Sequence, residues 1–272
     1  MSELWRLIVE PPLRGARNMA VDEAILRAVA SGTVLPTLRL YRWQPTCLSL
    51  GYAQPLSDVD LIRLQACGWD VVRRLTGGRA ILHAQELTYS LSLPAAHLLA
   101  QGTILESYQR ISAALLRAVE IMGLNGDALP HPEAEEQGAI KAICFEVPSS
   151  YEISAQGKKL IGSAQARKMG GLIQHGSLPL EGDLSLICDV LKFSTEGARE
   201  AARQRVKARA ITAQAVNGQR VRWEQAAEAF AQSFADCFGV RFAPGQITPE
   251  ESQTAALLER DQYGSIQWTG KF

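Results

Sequence analysis

The stretch from Cys144 to Ser177 concentrates side chains that could carry out nucleophilic chemistry. Cys144 follows an apolar, strand-like run, Ala139–Ile143, and precedes a Pro-Ser-Ser turn. Active sites are commonly built at such strand ends, and a cysteine exposed there can act as a thiolate nucleophile. A buried, unreactive cysteine is the alternative that this context leaves open. The other cysteines stand in settings typical of structural or inert residues: Cys47, Cys67, Cys188 and Cys237.

A lysine close to that thiol would favour its reactive form. The runs Tyr151–Ile153 and Lys159–Ala164 read as two strands joined by a polar turn. This hairpin would bring Lys159 back toward Cys144, and a protonated ammonium within a few ångströms lowers the pKa of a thiol. Lys158 and Lys159 point to opposite faces of the predicted strand, so only one of them can fill this role. Two solvated lysines remain the alternative.

Glycines and histidines mark places where a ligand could approach the backbone. Gly162 interrupts the second strand of the hairpin, and a double glycine lies within Arg73–Arg79. That segment has no Walker lysine and no helix after it, so it predicts a hairpin turn and not a phosphate-binding loop. His83 and His175 are interpreted either as hydrogen-bonded strand-end residues or as proton carriers.

Composition narrows the class of protein. The 272 residues contain 28 Lys plus Arg and 28 Asp plus Glu, with 47% hydrophobic residues. This balance argues against nucleic acid or a membrane as a partner. Five cysteines without close pairing and a first segment without signal-peptide features predict a cytoplasmic location. The row Arg199, Arg203 and Lys207 is interpreted as a solvated helix face or as a guide for an acidic carrier protein.

Periodic segments predict a mixed α/β fold. Strands are predicted at Trp5–Val9, Thr37–Trp43, Cys47–Tyr52, Asp70–Leu75, Arg79–His83, Leu87–Leu93 and Leu172–His175. Helices are predicted at Ala16–Ala30, Ser57–Ala66, Leu105–Met122, Thr195–Ala208, Trp223–Cys237 and Pro249–Leu258. The second and third strands, and the fourth and fifth, are expected to form hairpins. No linker divides the chain, so one domain over 1–272 is predicted, with 249–272 as a C-terminal helix and tail.

The ordered motifs resemble the lipoate–protein ligase A/B and biotin ligase superfamily, and within it the cysteine-dependent octanoyltransferases. The motifs are Asn18–Ala24, Arg39–Trp43, Leu48–Tyr52, Arg73–His83, Glu86–Ser90, Cys144–Ile153, Gly157–Gln165 and Gln174–Ser177. The resemblance implies mixed β-sheets flanked by helices, with Cys144 and Lys159 as catalytic residues at an acyl pocket. It also implies substrate-binding roles for Arg73, Gly77, Gly78, Arg79, His83, Gly162, Ser163, Ala164 and His175.

Two positions separate this chain from the ATP-dependent members of the superfamily. Those ligases generally have a third glycine where this chain has Arg79, and they have no cysteine at the position of Cys144. The resemblance therefore implies transfer of an octanoyl group from octanoyl-acyl carrier protein, through a cysteine thioester, to a lysine ε-amine of a lipoyl-domain protein. Glycine cleavage H protein and a dehydrogenase E2 subunit are the expected acceptors, and no nucleotide or metal is required.

Three other functions remain open at this point. An amidotransferase would take its acyl group from another lipoyl-domain protein, and an ATP-dependent lipoate ligase would activate the free acid. A noncatalytic module would bind a carrier or a lipoyl domain and transfer nothing. For the transferase, we expect Lys159 to serve in both half-reactions. Acylation removes the thiolate, so the lysine should then lose its proton more easily and act as a base, or it should stabilise the oxyanion while protonated.

Overall fold

The computed structural model describes residues 2–127 and 152–272. Cys144, the predicted strand Ala139–Ile143, the predicted Pro-Ser-Ser turn and Tyr151 lie outside the described residues. The strands are β1 Leu4–Val9, β2 Thr37–Tyr41, β3 Cys47–Leu50, β4 Asp70–Arg73, β5 Ile81–His83, β6 Glu86–Pro94, β7 Ile153–Ala155, β8 Lys158–Lys168, β9 Gly171–Pro179 and β10 Arg241–Gly245. The helices are α1 Gly15–Ala30, α2 Leu61–Ala66, α3 Ile104–Ile121, α4 Glu196–Arg209, α5 Ala213–Asn217, α6 Trp223–Phe238, α7 Pro249–Leu258 and α8 Ile266–Thr269.

The larger sheet among the described residues has the strand order β10-β1-β2-β6-β9-β8-β7. β1 runs parallel to both β10 and β2, and the other neighbours are antiparallel. One face packs on α3 and α6 through an apolar cluster that includes Leu91, Leu115 and Phe230. The other face packs on α1 and α7. The prediction of mixed sheets flanked by helices is confirmed.

A smaller sheet, with the order β4-β3-β5, corrects both predicted hairpins. β2 does not pair with β3, because β1 and β6 already occupy both of its edges. The short connection over residues 42–46 instead carries the chain from one sheet to the other. β4 and β5 likewise do not pair with each other, since β3 lies between them. The double glycine therefore belongs to a segment that crosses the end of β3.

The helix predictions hold with two corrections. α3 begins at a capping box formed by Thr103 and Glu106, as its position before an apolar stripe requires. α2 begins later than predicted, because Asp60 caps it and the residues before it form a separate short 3₁₀ turn. Cys237 was expected on the buried stripe of α6, but it is exposed. The helix turns this position outward, while Phe230 and Phe234 face the core.

Residues of the basic row on α4 contact the segment that precedes this helix. Arg199 is buried and donates to backbone carbonyl oxygens of the preceding segment. Arg203 pairs with Asp189, and the Nζ atom of Lys207 lies 3.6 Å from a carboxylate oxygen of Asp183. These pairs fix α4 against the 3₁₀ helix at residues 184–189. The interpretation of the row as a solvated face is therefore wrong for Arg199, whereas Lys207 is exposed.

The C-terminal elements pack on the N-terminal half of the chain. Glu251 on α7 accepts hydrogen bonds of 2.8 and 2.5 Å from Arg6 on β1. Tyr263 donates to Glu23 on α1 at 2.6 Å. The predicted helix Pro249–Leu258 is confirmed, and the tail contains a further short helix, α8. Over residues 2–127 and 152–272, no helix combines the length and the apolar character needed to cross a membrane.

Candidate active site

A cavity lies between the two sheets and encloses about 410 Å³ of space not filled by protein atoms, including the part open to solvent. Its wall is contributed by α1, by strands of both sheets and by the double-glycine segment: Met19, Tyr41, Trp43, Ser49, Arg74, Gly78, Ile81, His83, Thr88, Gly162, Ser163, Ala164, His175, Gly176 and Ser177. Many of these residues are polar, yet the surface they present is almost entirely apolar. Their polar atoms must therefore be occupied by neighbouring groups.

The His83 side of the cavity shows how this is achieved. The Nδ1 atom of His83 lies 2.6 Å from Glu86, and its Nε2 atom lies 2.7 Å from the hydroxyl of Ser49. The ring stacks on Trp43 with centroids 4.0 Å apart. Burial alone would raise the pKa of Glu86, but His83 and the hydrogen bond from Ser177 lower it. The result is a fixed polar network beneath an apolar wall.

His175 is held by a second network. Its Nε2 atom lies 2.6 Å from the hydroxyl of Thr76, and its Nδ1 atom lies 3.5 Å from Asp22 on α1. Burial lowers the pKa of His175, although Asp22 opposes this shift. Burial would raise the pKa of Asp22, but the charge of Arg39 and the hydrogen bond from His175 lower it. The imidazole is therefore neutral near neutral pH, as an apolar cavity requires.

Arg73 and Arg74 are neighbours in sequence but serve different regions. Arg73 is fully buried and directs its guanidinium to backbone carbonyl oxygens, including those of Gly51 at 2.9 Å and Thr269 at 2.6 Å. This side chain ties β4 to α8. Arg74 lines the cavity and donates to the carbonyl oxygens of Ser49, at 3.0 Å, and of the double-glycine segment. Neighbouring residues at a strand end point to opposite sides, which explains the division.

The double-glycine segment lies against the backbone at the end of β3. Gly78 has a positive φ of 85°, and its carbonyl oxygen would be 1.8 Å from a Cβ atom on Gly51. Gly78 lines the cavity, whereas the wall residues do not include Gly77, which is exposed, or Arg79, whose carbonyl oxygen accepts from Arg74 at 2.8 Å. Substrate-binding roles for Gly77, Arg79 and Arg73 remain predictions, as do those of the predicted residues that line the cavity.

A β-bulge determines where Lys159 points. On β7, Ile153 and Ser154 are adjacent, yet they pair with Ile161 and Lys159 on β8. One extra residue, Leu160, is therefore inserted into β8. Leu160 and Ile161 both lie in the apolar cluster on the side of α3 and α6. Leu160 and Ile161 therefore point to the same face of β8. Residues before this pair and residues after it no longer follow one continuous alternation.

As a result, Lys159 shares a face of β8 with Gly162 and Ala164, which line the cavity together with Ser163 from the other face. Regular alternation would have put it on the other face. Lys159 is buried and its Nζ atom forms an ion pair with the carboxylate of Glu152, which is also buried. Lys159 itself is not part of the cavity wall, and it lies three positions before Gly162, at most about 10 Å along β8. Lys158 is turned away, and its Nζ donates to the carbonyl oxygen of Lys207 at 2.8 Å.

Comparison with known proteins identifies the family. The model of the lipoyl protein ligase A/B catalytic domain matches residues 14–235. The chain belongs to this family. The resemblance predicted from the motifs is thereby confirmed.

Full-length relatives within the lipoyl protein ligase A/B family are octanoyltransferases. The chain is 41% identical to octanoyltransferase LipM of Kyrpidia tusciae over 270 residues, covering 98% of both chains. It is 37% identical to octanoyltransferase LipM of Brevibacillus brevis over 271 residues, again covering 98% of both. This similarity over the full length shows that the chain is an octanoyltransferase, as predicted.

Solved structures of the family share the fold. The bipartite lipoate protein ligase of Thermoplasma acidophilum, described together with its E2 lipoyl domain, superposes with a TM-score of 0.83 at 23% identity. That match covers 99% of this chain and 98% of the other. A lipoate-protein ligase A bound with ATP gives a TM-score of 0.77 at 24% identity, covering 99% and 98% of the two chains. At these identities the likeness establishes the fold alone.

Several site residues of this family member were not singled out by the sequence. Glu152 and Arg74 stand inside motifs that were recognised, but nothing in the sequence assigned them a contact. Ser49 and Asp22 also belong to recognised motifs, and each holds one of the cavity histidines. An acidic residue in a short strand beside a lysine was the available signal for Glu152. The bulge that brings the pair onto one face has no comparable signal.

Proposed function

We propose that this octanoyltransferase works in lipoate biosynthesis and moves its acyl group from octanoyl-acyl carrier protein to a lipoyl-domain protein. In the first step the Cys144 thiolate attacks the donor thioester, so that a C–S bond forms on the enzyme and the carrier thiol leaves. In the second step the ε-amine of the acceptor lysine attacks the S-octanoyl group. A C–N bond forms, the C–S bond breaks, and the amine proton leaves with the regenerated thiol or passes to water.

The observation that carries the proposal is a buried ammonium on the same strand face as an apolar cavity. Each buried methylene contributes about 0.8 kcal/mol, so an octanoyl chain in the cavity would gain roughly 5 kcal/mol. The Lys159 ammonium, beyond the Gly162 end of the wall, supplies a positive charge for a thiolate or for the oxyanion of the tetrahedral intermediate. Cys144 stands eight residues before Glu152, the partner of that ammonium.

The energetics require no nucleotide. Thioester exchange is nearly balanced in free energy, and conversion of a thioester to an amide is downhill. The difficult reactant is the acceptor amine, whose unperturbed pKa near 10.4 makes the neutral form cost about 4.6 kcal/mol at pH 7. Transfer should therefore accelerate as the pH rises toward that value. We take residues 1–272 as one catalytic domain and place the reaction in the cytoplasm, where a catalytic thiol stays reduced.

Intact-mass analysis tests the proposal directly. Purified enzyme is mixed with octanoyl-acyl carrier protein, and apo lipoyl-domain protein, either glycine cleavage H protein or an E2 domain, is added afterwards. We expect the mass of one octanoyl group on the enzyme, its loss after the second addition and its gain by the acceptor. Cys144→Ala should abolish both signals, whereas Cys237→Ala, which removes an exposed cysteine far along the chain, should retain them.

The same assay separates the other functions. An ATP-dependent ligase would modify the acceptor only with free octanoate or lipoate and ATP, and it would tolerate Cys144→Ala. An amidotransferase would take its acyl group from an octanoylated lipoyl-domain protein and ignore the carrier protein. Either outcome would overturn the proposed donor.

A further inference from the structure

We propose that Glu152 is a positioning residue that keeps the Lys159 side chain protonated and fixed throughout the catalytic cycle, so that Lys159 acts as a cation and not as the base. This inference deepens the proposed function and rests on Lys159 being its cationic group. It concerns a carboxylate to which neither the motifs nor the comparisons give a role.

The two residues form a contact that the hairpin specifies. Glu152 immediately precedes β7, and Ser154 on β7 pairs directly with Lys159 on β8. Residues two apart on a strand share a face, so Glu152, Ser154 and Lys159 all lie on the side opposite Ile153. Glu152 is 3% exposed and Lys159 6% exposed. A carboxylate in contact with the Lys159 amine favours its protonated form.

Within residues 2–127 and 152–272, the other charged residues near Lys159 do not replace Glu152. Asp127 bonds to Ser154 through its backbone, and its side chain is exposed. The Nζ of Lys158 is directed to the carbonyl oxygen of Lys207. Arg209, the last residue of α4, is half-buried, and the next residue, Ala210, forms a β-bridge with Lys159. Among the described residues on these elements, Glu152 is the carboxylate in contact with the ammonium.

This contact changes the expectation for the second half-reaction. Lys159 was expected to become a base because acylation of Cys144 removes a negative neighbour. Glu152 is a negative neighbour that acylation leaves in place. The lysine therefore stays charged when the acyl-enzyme forms. The acceptor proton leaves with the thiol or through water, and no proton is routed to Lys159.

The first test measures the protonation of Lys159 without any acyl transfer. Protein labelled with ¹⁵N-lysine is titrated by NMR, and the Lys159 Nζ signal is identified as the one missing from Lys159→Arg. Glu152→Gln should lower the titration midpoint of this amine by about one pH unit or more, since an opposite charge at contact shifts a pKa by about 1–3 units. Glu152→Asp should restore most of the shift. An unchanged midpoint in Glu152→Gln would overturn the inference.

A second test uses the rate of S-octanoyl enzyme formation between pH 6 and 10. The wild-type rate should not fall toward pH 10, because Lys159 stays charged, whereas Glu152→Gln should show a fall within this range as Lys159 loses its charge. Glu251→Gln is the matched control, because it removes a carboxylate that is equally buried and paired but lies on α7. It should destabilise the fold and leave the pH profile in place. A Glu152→Gln profile that only drops in height, as in a structural defect, would contradict the inference.

The two tests separate failure of the inference from failure of the proposed function. A wild-type enzyme that accepts no octanoyl group from the carrier protein contradicts the proposed donor, while the NMR titration still decides the role of Glu152. Normal acylation together with an unshifted amine contradicts only the inference.

Discussion

Two buried ion pairs, on strands near opposite edges of the larger sheet, show how one kind of contact serves two purposes. At the scaffold end, Arg6 on β1 holds Glu251 on α7 with two hydrogen bonds and also donates to Thr37 at 3.0 Å. At the cavity end, Lys159 holds Glu152 beside the bulge of β8. Arginine keeps its charge at any working pH and fits a carboxylate with two parallel bonds, whereas a buried lysine can lose its proton.

The difference assigns stability to one pair and chemistry to the other. A guanidinium with every bond directed at protein atoms has nothing left to offer a substrate. An ammonium has three donors around one nitrogen and a charge that depends on its neighbours. Removing the Lys159 cation should therefore slow the reaction, whereas removing the Arg6 cation should lower the stability and leave the rate nearly unchanged.

The largest effect on rate is expected for Lys159→Met. Loss of the cation should slow S-octanoyl enzyme formation by roughly 10²–10³-fold, the usual cost of removing a group that stabilises an oxyanion. Rapid-quench intact-mass analysis at saturating carrier protein would measure it. Arg6→Met should stay within about threefold of the wild-type rate in the same assay. A Lys159→Met enzyme as fast as Arg6→Met would remove the distinction between the two pairs.

A loss of stability with little loss of rate is expected for Arg6→Met. It leaves the carboxylate of Glu251, which is 2% exposed, without its cation, and such a loss typically costs about 3–5 kcal/mol. Urea denaturation followed by circular dichroism would give the free energy of unfolding. Replacing both partners, Arg6→Met with Glu251→Leu, should recover part of that loss. No recovery in the double variant would show that the pair does more than neutralise a buried charge.

A smaller effect is expected where the cavity wall has no space. A Cβ atom on Gly176 would lie 2.5 Å from the Ser163 hydroxyl oxygen and 2.7 Å from the carbonyl oxygen of Gly162. Gly176→Ala should therefore cost about 1–3 kcal/mol of stability and slow acylation by deforming the wall. Gly197→Ala on exposed α4, where the nearest atom is 3.9 Å away, should be neutral or slightly stabilising. Thermal unfolding of both variants would show whether alanine lowers stability only at the crowded Gly176 position or at both positions.

The smallest effect concerns pH and the cavity histidine. The pKa of His175 is lowered in the folded state, so the unfolded chain binds its proton at a higher pH. The stability due to this group is complete above about pH 6.5 and is lost as the pH falls below it, by at most about 1.4 kcal/mol per pH unit. His175→Gln should flatten the decline of unfolding free energy between pH 6.5 and 5. A decline of equal slope in both proteins would assign it to other groups.

Sequence reasoning succeeded where one periodic segment reports on its own environment. The apolar stripe of Ile111, Leu115 and Val119 predicted α3. Apolar residues spaced three and four apart predicted α6 in the same way, because this spacing puts them on one face of a helix, which is then buried. It failed for β2 with β3, where a short connection was read as a hairpin. Which edge of a strand is free depends on strands that come later in the chain.

The sequence by itself determined the family, the element types and the candidate cysteine and lysine, since these follow from residue order and local periodicity. Only the tertiary structure decided that Arg73 ties β4 to α8 while Arg74 faces the cavity, and that Lys159 meets Glu152. The physical reason is that one inserted residue, Leu160, reverses which face a strand presents. The direction of a side chain at the site depends on which residues pair between strands, and local sequence order does not specify that pairing.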